Sequence, residues 1–443
     1  MRWPWTGLDR AARRIEVIAG TTTFLTMAYI IIINPIILTA AGMPFGPVMV
    51  ATIMVAAVAT ILTGLYANRP FCMAPYMGEN AFFAYSVVIA LSVTWNAALG
   101  AVFLAGMMFV ILSFSGLRRT LIDAIPRFLS ASWAIAIGLF IMFIGLAKAG
   151  IAVPGIPGGP VQIGDFATIE VQLCIFGILL TLVLYAKKVV GAILIGTVVM
   201  LCAGFVLGAM GLGTELPHTI PDPFGPIPDW GQVAFHMDIG GALTATLIPI
   251  ILVMFIMDFL DTTGTILGLG AKAGFLDKEG KMPHVERVLQ VDAASTAIAG
   301  AFGTTTSGAF VESATGIEQG GRTGLTALVC GVLFLVMLAF TPFFAGLPIG
   351  FLQIAAAPAL VVVGISMFTP IANIDFSDMA QAIPCVLTIA FMLFTFNIGF
   401  GLAIGLVTYP LVMVAMGRAK QVPRLMYALA ALGVVLFLVY PYH

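Results

Sequence analysis

Runs of about 20 apolar residues, each long enough to cross a bilayer as a helix, recur from one end of the chain to the other. Only a helix or a closed barrel satisfies its backbone polar groups inside lipid. The runs fall near 17–40, 47–67, 74–91, 94–115, 131–149, 170–186 and 189–212, then near 242–268, 288–303, 306–320, 323–346, 352–370, 378–396 and 399–417. A polar, proline-rich stretch at 213–240 separates the two sets, and a last apolar run covers 421–441. Of the 443 residues, 61% are hydrophobic and 9% charged, with a mean hydropathy of +1.11. A soluble domain carries about 25% charged residues, so the solvent of this chain is lipid. The pattern predicts an all-α polytopic membrane protein with fourteen transmembrane spans, and a C-terminal apolar helix that either crosses or lies in the interface.

Basic residues test the count, because cytoplasmic loops are enriched in Lys and Arg. With the N-terminus cytoplasmic, fourteen alternating spans place 18 of the 19 Lys and Arg inside, from Arg2 through Arg118, Arg119, Lys278 and Lys281 to Arg424, with Lys148 the exception. The 213–240 loop holds none and is expected outside; 269–287 is the main cytoplasmic loop. A net charge of −1 gives no reason to expect a nucleic-acid partner. Cys72, Cys174, Cys202, Cys330 and Cys385 are scattered without metal or disulfide spacing. His218, His236, His284 and His443 all fall outside the spans, which argues against a histidine relay or an intramembrane metal site, and no cofactor is expected. The basic N-terminus leads into a long run containing Thr21, Thr22 and Thr23, which reads as a first span rather than a cleaved signal.

Seven spans per half is an odd number, so the second half enters the membrane from the opposite side, as in transporters built from inverted repeats. The expected division is 1–222, 223–420 and a C-terminal helix at 421–443. Sequence likeness between the halves is weak: Gly20-Thr21-Thr22-Thr23-Phe24-Leu25 in span 1 corresponds to Asp261-Thr262-Thr263-Gly264-Thr265-Ile266 in span 8. Spans 3 and 10 are both short and open on helix-breaking or polar residues, Ala74-Pro75-Tyr76-Met77-Gly78-Glu79-Asn80 and Gly303-Thr304-Thr305-Thr306-Ser307-Gly308. A helix that begins partway across leaves N–H groups unpartnered and attracts partial negative charge. Such a break is tolerated where it lines a cavity. Paired breaks in two halves point to a substrate site; the plainer reading is that Gly and Pro let helices pack closely.

Four carboxylates sit inside apolar runs: Glu79, Asp258, Asp261 and Glu312. A charge at that depth costs at least about 2.5–3.5 kcal/mol, and no Lys or Arg lies in the same spans. Asp258 and Asp261, three residues apart, share a helix face. Burial in an apolar medium favours a carboxyl's neutral form, which suits such groups to carrying a proton. Hydrogen bonding between helices is the bland alternative. Glu16, Asp123, Asp277, Glu279, Glu286 and Asp378 lie at span ends or in loops, and Asp292 and Glu318 near span ends. Acids among Asn, Thr and aromatic residues suit a flat neutral ligand with N–H donors, such as a purine, with Phe82, Phe83 and Tyr85 as stacking surface. An inorganic anion would need cationic donors.

At these residues the chain resembles the purine permeases of the nucleobase–cation symporter 2 group (xanthine/uracil permeases), and within it the AzgA-like hypoxanthine/guanine/adenine branch. The likeness is carried by Ala19 to Tyr29 with Asn34-Pro35, by Met77-Gly78-Glu79-Asn80-Ala81-Phe82-Phe83-Ala84, by Asp258 to Thr265, by Glu312-Ser313-Ala314-Thr315-Gly316, and by Gly320 to Ala327. It implies a core and a gate domain, with a short strand ahead of a half-helix in spans 3 and 10. It also implies import of a purine with a proton, the base lying between those half-helices and span 8. Asp258 and Glu312 would be its main side-chain partners. Asn80, Thr262 and Asp261 would support the site and the coupling, with main-chain groups near Phe83 and Gly308 adding contacts. Homodimers through the gate domain are also implied. Glu79 departs from the family pattern, which has an apolar or neutral residue there, and this bears on substrate choice or proton stoichiometry. Uracil, xanthine or another small solute of the same fold is the nearest alternative. An intramembrane enzyme lacks its Ser/His pair or metal motif, ATP drive lacks a Gly-x4-Gly-Lys-Ser/Thr loop, and a channel fits paired broken helices poorly.

Overall fold

Ten helices among the described residues are long and apolar enough to cross a bilayer, and Met379–Phe394 and Arg424–Leu438 form shorter apolar helices. The computed structural model describes residues 7–115, 125–156, 159–277 and 282–439. The expected inside positions of Arg2, Arg118, Arg119, Lys278 and Lys281, and the loop or terminal positions of Asp123, Glu279 and His443, lie outside those residues. The first half runs α1 (Arg10–Met27), α2 (Ile30–Thr39), α3 (Phe45–Leu62), strand β1 (Met73–Pro75), the short α4 (Met77–Ala81), α5 (Trp95–Ser115), α6 (Arg127–Lys148), a hairpin of β2 (Ala152–Pro154) and β3 (Val161–Ile163), α7 (Ile169–Ala186) and α8 (Ala192–Ala209). The second half runs α9 (Ile239–Ala242), α10 (Leu247–Lys272), α11 (Val285–Phe302), strand β4 (Ser307–Ala309), the short α12 (Ser313–Glu318), α13 (Gly324–Val336), α14 (Thr341–Ala345), α15 (Ile349–Ser366), α16 (Met379–Phe394), α17 (Ile398–Ala415) and α18 (Arg424–Val439).

The helices sort into two packed groups. In one, α1 packs on α12 and α13, α3 on α11 and α13, and α5 on α10 and α11. In the other, α6 packs on α15, α16 and α17, α7 on α8 and α15, α8 on α15, and α16 on α17. Small residues let backbones meet: a Cβ added at Gly138 would stand 2.7 Å from Gly364 O, and one at Gly364 2.5 Å from Gly138 O. The helix α11 is too polar to stand alone in lipid, yet it buries Asp292, Ser295 and Thr296 because α3, α5 and β4 surround it. The C-terminal run forms a helix, α18, against the bundle. It packs on α17, with the Phe437 and Phe400 rings 5.1 Å apart and the backbone at Gly433 against Ala403.

At one end of the bundle, Lys272 pairs with Glu318 at 2.5 Å, Arg418 with Asp378 at 3.0 Å, and Arg69 donates to Pro283 O at 2.9 Å. The 213–240 segment lies over the other end, where Trp230 Nε1 donates to Phe302 O at 2.8 Å and Thr214 N to Glu170 at 2.7 Å. Glu16 differs from the sequence expectation of an ordinary span-end acid. It is buried and caps α13, accepting from Arg322 N at 3.0 Å, Thr323 N at 3.1 Å and the Thr326 hydroxyl at 2.5 Å. Removing an acceptor from buried donors costs about 1–3 kcal/mol. Glu16→Ala is therefore expected to lower the unfolding temperature in a thermal-shift assay in detergent, and an unchanged temperature would show the cap to be dispensable.

Candidate functional site

Two three-residue strands meet inside the first helical group. β1 and β4 run antiparallel, pairing Met73 with Ala309, Ala74 with Gly308 and Pro75 with Ser307. Each leads into a short helix, α4 or α12, and α4 continues as a wider π-helix over Phe82–Ile89. The breaks expected in spans 3 and 10 are therefore present, at the same residues. A two-stranded sheet has two open edges, and unpaired backbone groups in a membrane need partners. Hydroxyls supply them. Thr60 on α3 bonds both Met73 N and Met73 O at 2.9 Å. Thr296 on α11 sits 3.2 Å from Ser307 N and 3.0 Å from Ser307 O, and Ser295 donates to Ser307 O at 2.8 Å.

The acids converge on this sheet from several elements. Asp258 on α10 is 1% exposed; its Oδ2 accepts from Thr296 Oγ1 at 2.7 Å, while its Oδ1 has no partner among the described residues. Glu312 stands at the start of α12 and accepts from Tyr29 Oη at 2.5 Å. Tyr29 gets there because the first span is broken between α1 and α2. Glu79 is buried and accepts from Thr306 Oγ1 at 3.1 Å, and Asn80 Oδ1 accepts from Thr305 Oγ1. Asn80 Nδ2 is buried without a partner among the described residues. Thr262 is buried with its hydroxyl 2.8 Å from Tyr76 Oη. Among the described residues none of these acids joins an ion pair.

Asp261 is placed differently from its neighbour Asp258. It is exposed, although protein surrounds it, as on the wall of a cleft. Gly264 and Gly268, one and two turns on, are exposed too, and a Cβ at either would meet nothing within 4 Å. The same helix face in the preceding turns, at Ile250, Met254 and Met257, is buried. Beside it, Val311 is 65% exposed and Glu312 half-buried. The exposed strip thus runs from Asp261 toward the Lys272 end of α10. A small apolar pocket of about 30 Å³ between Phe82, Ile250, Asn397, Phe400 and Phe437 holds none of the acids.

Phe82 and Phe83 are fully buried, and Tyr85 is half-buried against Phe140 and Phe396. One expectation needs correction. Asp292, expected near a span end, is fully buried. It lies beside Thr262 and the Ala309 amide without close hydrogen-bond geometry. Sequence reasoning also passes over Tyr29, Thr60, Ser295 and Thr296. The one local signal was polarity: Asp292, Ser295 and Thr296 recur at helical spacing inside a run counted as apolar.

Comparison with known proteins agrees with this architecture. A family model named Xan_ur_permease, described as Permease family, matches residues 14–404. The adenine permease AdeQ of Escherichia coli is 38% identical over 420 residues, covering 95% of this chain and 91% of that protein. The guanine/hypoxanthine permease PbuO of Bacillus subtilis is 38% identical over 425 residues, covering 94% and 95%. In fold, the chain resembles the transmembrane domain of a cyanobacterium bicarbonate transporter, BicA, with a TM-score of 0.61 at 15% identity over 90% of this chain and 98% of that one.

Proposed function

The chain belongs to the Xan_ur_permease family, and on that premise we propose that it imports purine nucleobases by proton symport across the cell membrane. The observation that carries the reading is the meeting of two strand-led half-helices with Asp258 and Glu312, acids without a cationic partner among the described residues. Orphaned acceptors in a polar pocket select a neutral ligand rich in N–H donors. A purine edge with adjacent N–H groups meets that demand, and relatives named for adenine, guanine and hypoxanthine support the class. Asp258 and Glu312 would bind the base, with Asn80, Thr262 and the main chain at Phe83 and Gly308 around it. Asp258, Asp261, Glu312 and Glu79 would share the coupling proton.

The fold proposed for this work has fourteen spans in two inverted repeats, 1–222 and 223–420, with α18 as an addition. To the ten long helices are added α11, α16 and the two half-helices. The packing supports the repeat. Shifting every span by seven turns α1 on α13 into α10 on α5, α3 on α13 into α11 on α5, α6 on α16 into α15 on α7, and α7 on α8 into α16 on α17. Thr60 and Thr296, which serve the two sheet edges, exchange in the same way. The basic ends gathered around Lys272 support a cytoplasmic N-terminus, and the cleft at Asp261 then opens inward. Alternating access follows, with the α6–α8 and α15–α17 group as the gate and a homodimer built through it.

Purified protein in liposomes tests this. An imposed pH gradient, acid outside, is expected to drive saturable uptake of labelled adenine, guanine or hypoxanthine, and a protonophore to stop it. Uptake indifferent to the gradient would reject symport; uptake of uracil alone would reject the purine class, and uptake of xanthine alone would reject adenine, guanine and hypoxanthine as its substrates.

A further inference from the structure

The hydroxyl of Thr296 has more partners than it has protons. It lies 2.7 Å from Asp258 Oδ2, 3.0 Å from Ser307 O and 3.2 Å from Ser307 N. The amide donates to it, and its single O–H goes either to Asp258 or to the Ser307 carbonyl. Ser295 is divided in the same manner, with Oγ 2.8 Å from Ser307 O and 2.7 Å from Asp292 O. Counting protons leaves two arrangements in which each of these hydroxyl protons has an acceptor. With Asp258 ionised, Thr296 donates to Asp258 and Ser295 to Ser307 O. With Asp258 protonated, Asp258 donates to the Thr296 oxygen, Thr296 turns to Ser307 O, and Ser295 turns to Asp292 O. The two states differ by the proton on Asp258, which makes one hydrogen bond of its own, and otherwise only in hydroxyl rotations.

We propose that Thr296, with Ser295 behind it, is the positioning residue that transmits the proton on Asp258 to strand β4. The proposal rests on the reading of Asp258 as a proton- and base-binding group and adds the route by which protonation reaches the second half-helix. Ser307 pairs with Pro75 in β1 and immediately precedes Gly308, so a hydroxyl turn at Ser307 acts where both half-helices are anchored. The other titratable groups facing Asp258 are Asp261 on the same helix, Asp292 on α11, Glu79 on α4 and Tyr76 ahead of α4.

The test is the pH slope of base affinity in proteoliposomes, using whichever of adenine, guanine and hypoxanthine the wild type takes up fastest. A hydrogen bond to a charged group is worth enough for the wild-type KM to move about tenfold between external pH 5.5 and 8. Thr296→Val, nearly the same shape without the hydroxyl, is expected to flatten that change to about twofold or less, and Thr296→Ser to restore it. Ser295→Ala is expected to flatten it partly, since Thr296 must then also serve Ser307 O. A Thr296→Val protein with the wild-type slope overturns the relay. Should that variant fail to reach the membrane, an unchanged slope in Ser295→Ala overturns it equally. A wild type whose uptake has no pH slope defeats the symport reading itself, and the relay with it.

Discussion

Asp258→Asn and Glu312→Gln are each expected to reduce purine uptake by about a hundredfold or more at unchanged membrane abundance. The two carboxyls are held by different elements, Asp258 by Thr296 and Glu312 by Tyr29. An amide keeps the shape but replaces one acceptor with a donor and ends proton exchange at that position. A base with two N–H groups then meets a like donor, and a buried donor left unmet costs about 1–3 kcal/mol on each partner. Labelled-base uptake and a base-dependent thermal shift measure the two losses separately. Wild-type uptake in both variants would remove the acids from the mechanism.

A smaller loss is expected from a single methyl group. A Cβ at Gly308 would overlap Tyr76 Cε2 and stand 2.5 Å from Tyr76 Oη and 2.6 Å from Asp292 Oδ1. Tyr76 cannot retreat easily: its ring stacks on Phe310 at 6.1 Å, and its hydroxyl bonds Thr262 at 2.8 Å and Ala309 O at 3.2 Å. Overpacking of this kind costs about 1–3 kcal/mol, and here it falls on the strand pair that orients both half-helices. Gly308→Ala should therefore cut uptake about tenfold or more while leaving the protein in the membrane. In a Tyr76→Ala background, where the overlap is largely removed, the same substitution should add little, because neighbouring changes are not additive. Equal effects in both backgrounds would show that Gly308 serves the site through its backbone rather than by making room.

Some of this was legible in one dimension. Span-length apolar runs, the one-sided distribution of Lys and Arg, the helix-breaking residues at Pro75 and Gly303 to Gly308, and acids without nearby cations are all local patterns, each with a local cost in lipid. Those costs mark the class of protein and the segments that must form its site. The π-helix beyond α4, the burial of Phe82 and Phe83, and the packing of α18 on α17 depend on neighbours and could not be read this way.

What the amino-acid order determined by itself was the solvent, the apolar segments and the presence of Glu79, Asp258, Asp261 and Glu312 within them, though not the burial of Asp292 and Glu16, because hydrophobic periodicity and charge are properties of short segments. Only the tertiary structure decided how those acids are held and reached. Tyr29 meets Glu312 across 283 positions, Asn80 meets Thr305 across 225, and Asp258 faces Thr296 from another helix. Asp258 is buried while Asp261, one turn along the same helix, is exposed. Such pairings are set by which helices pack together, and no period within a single segment encodes them.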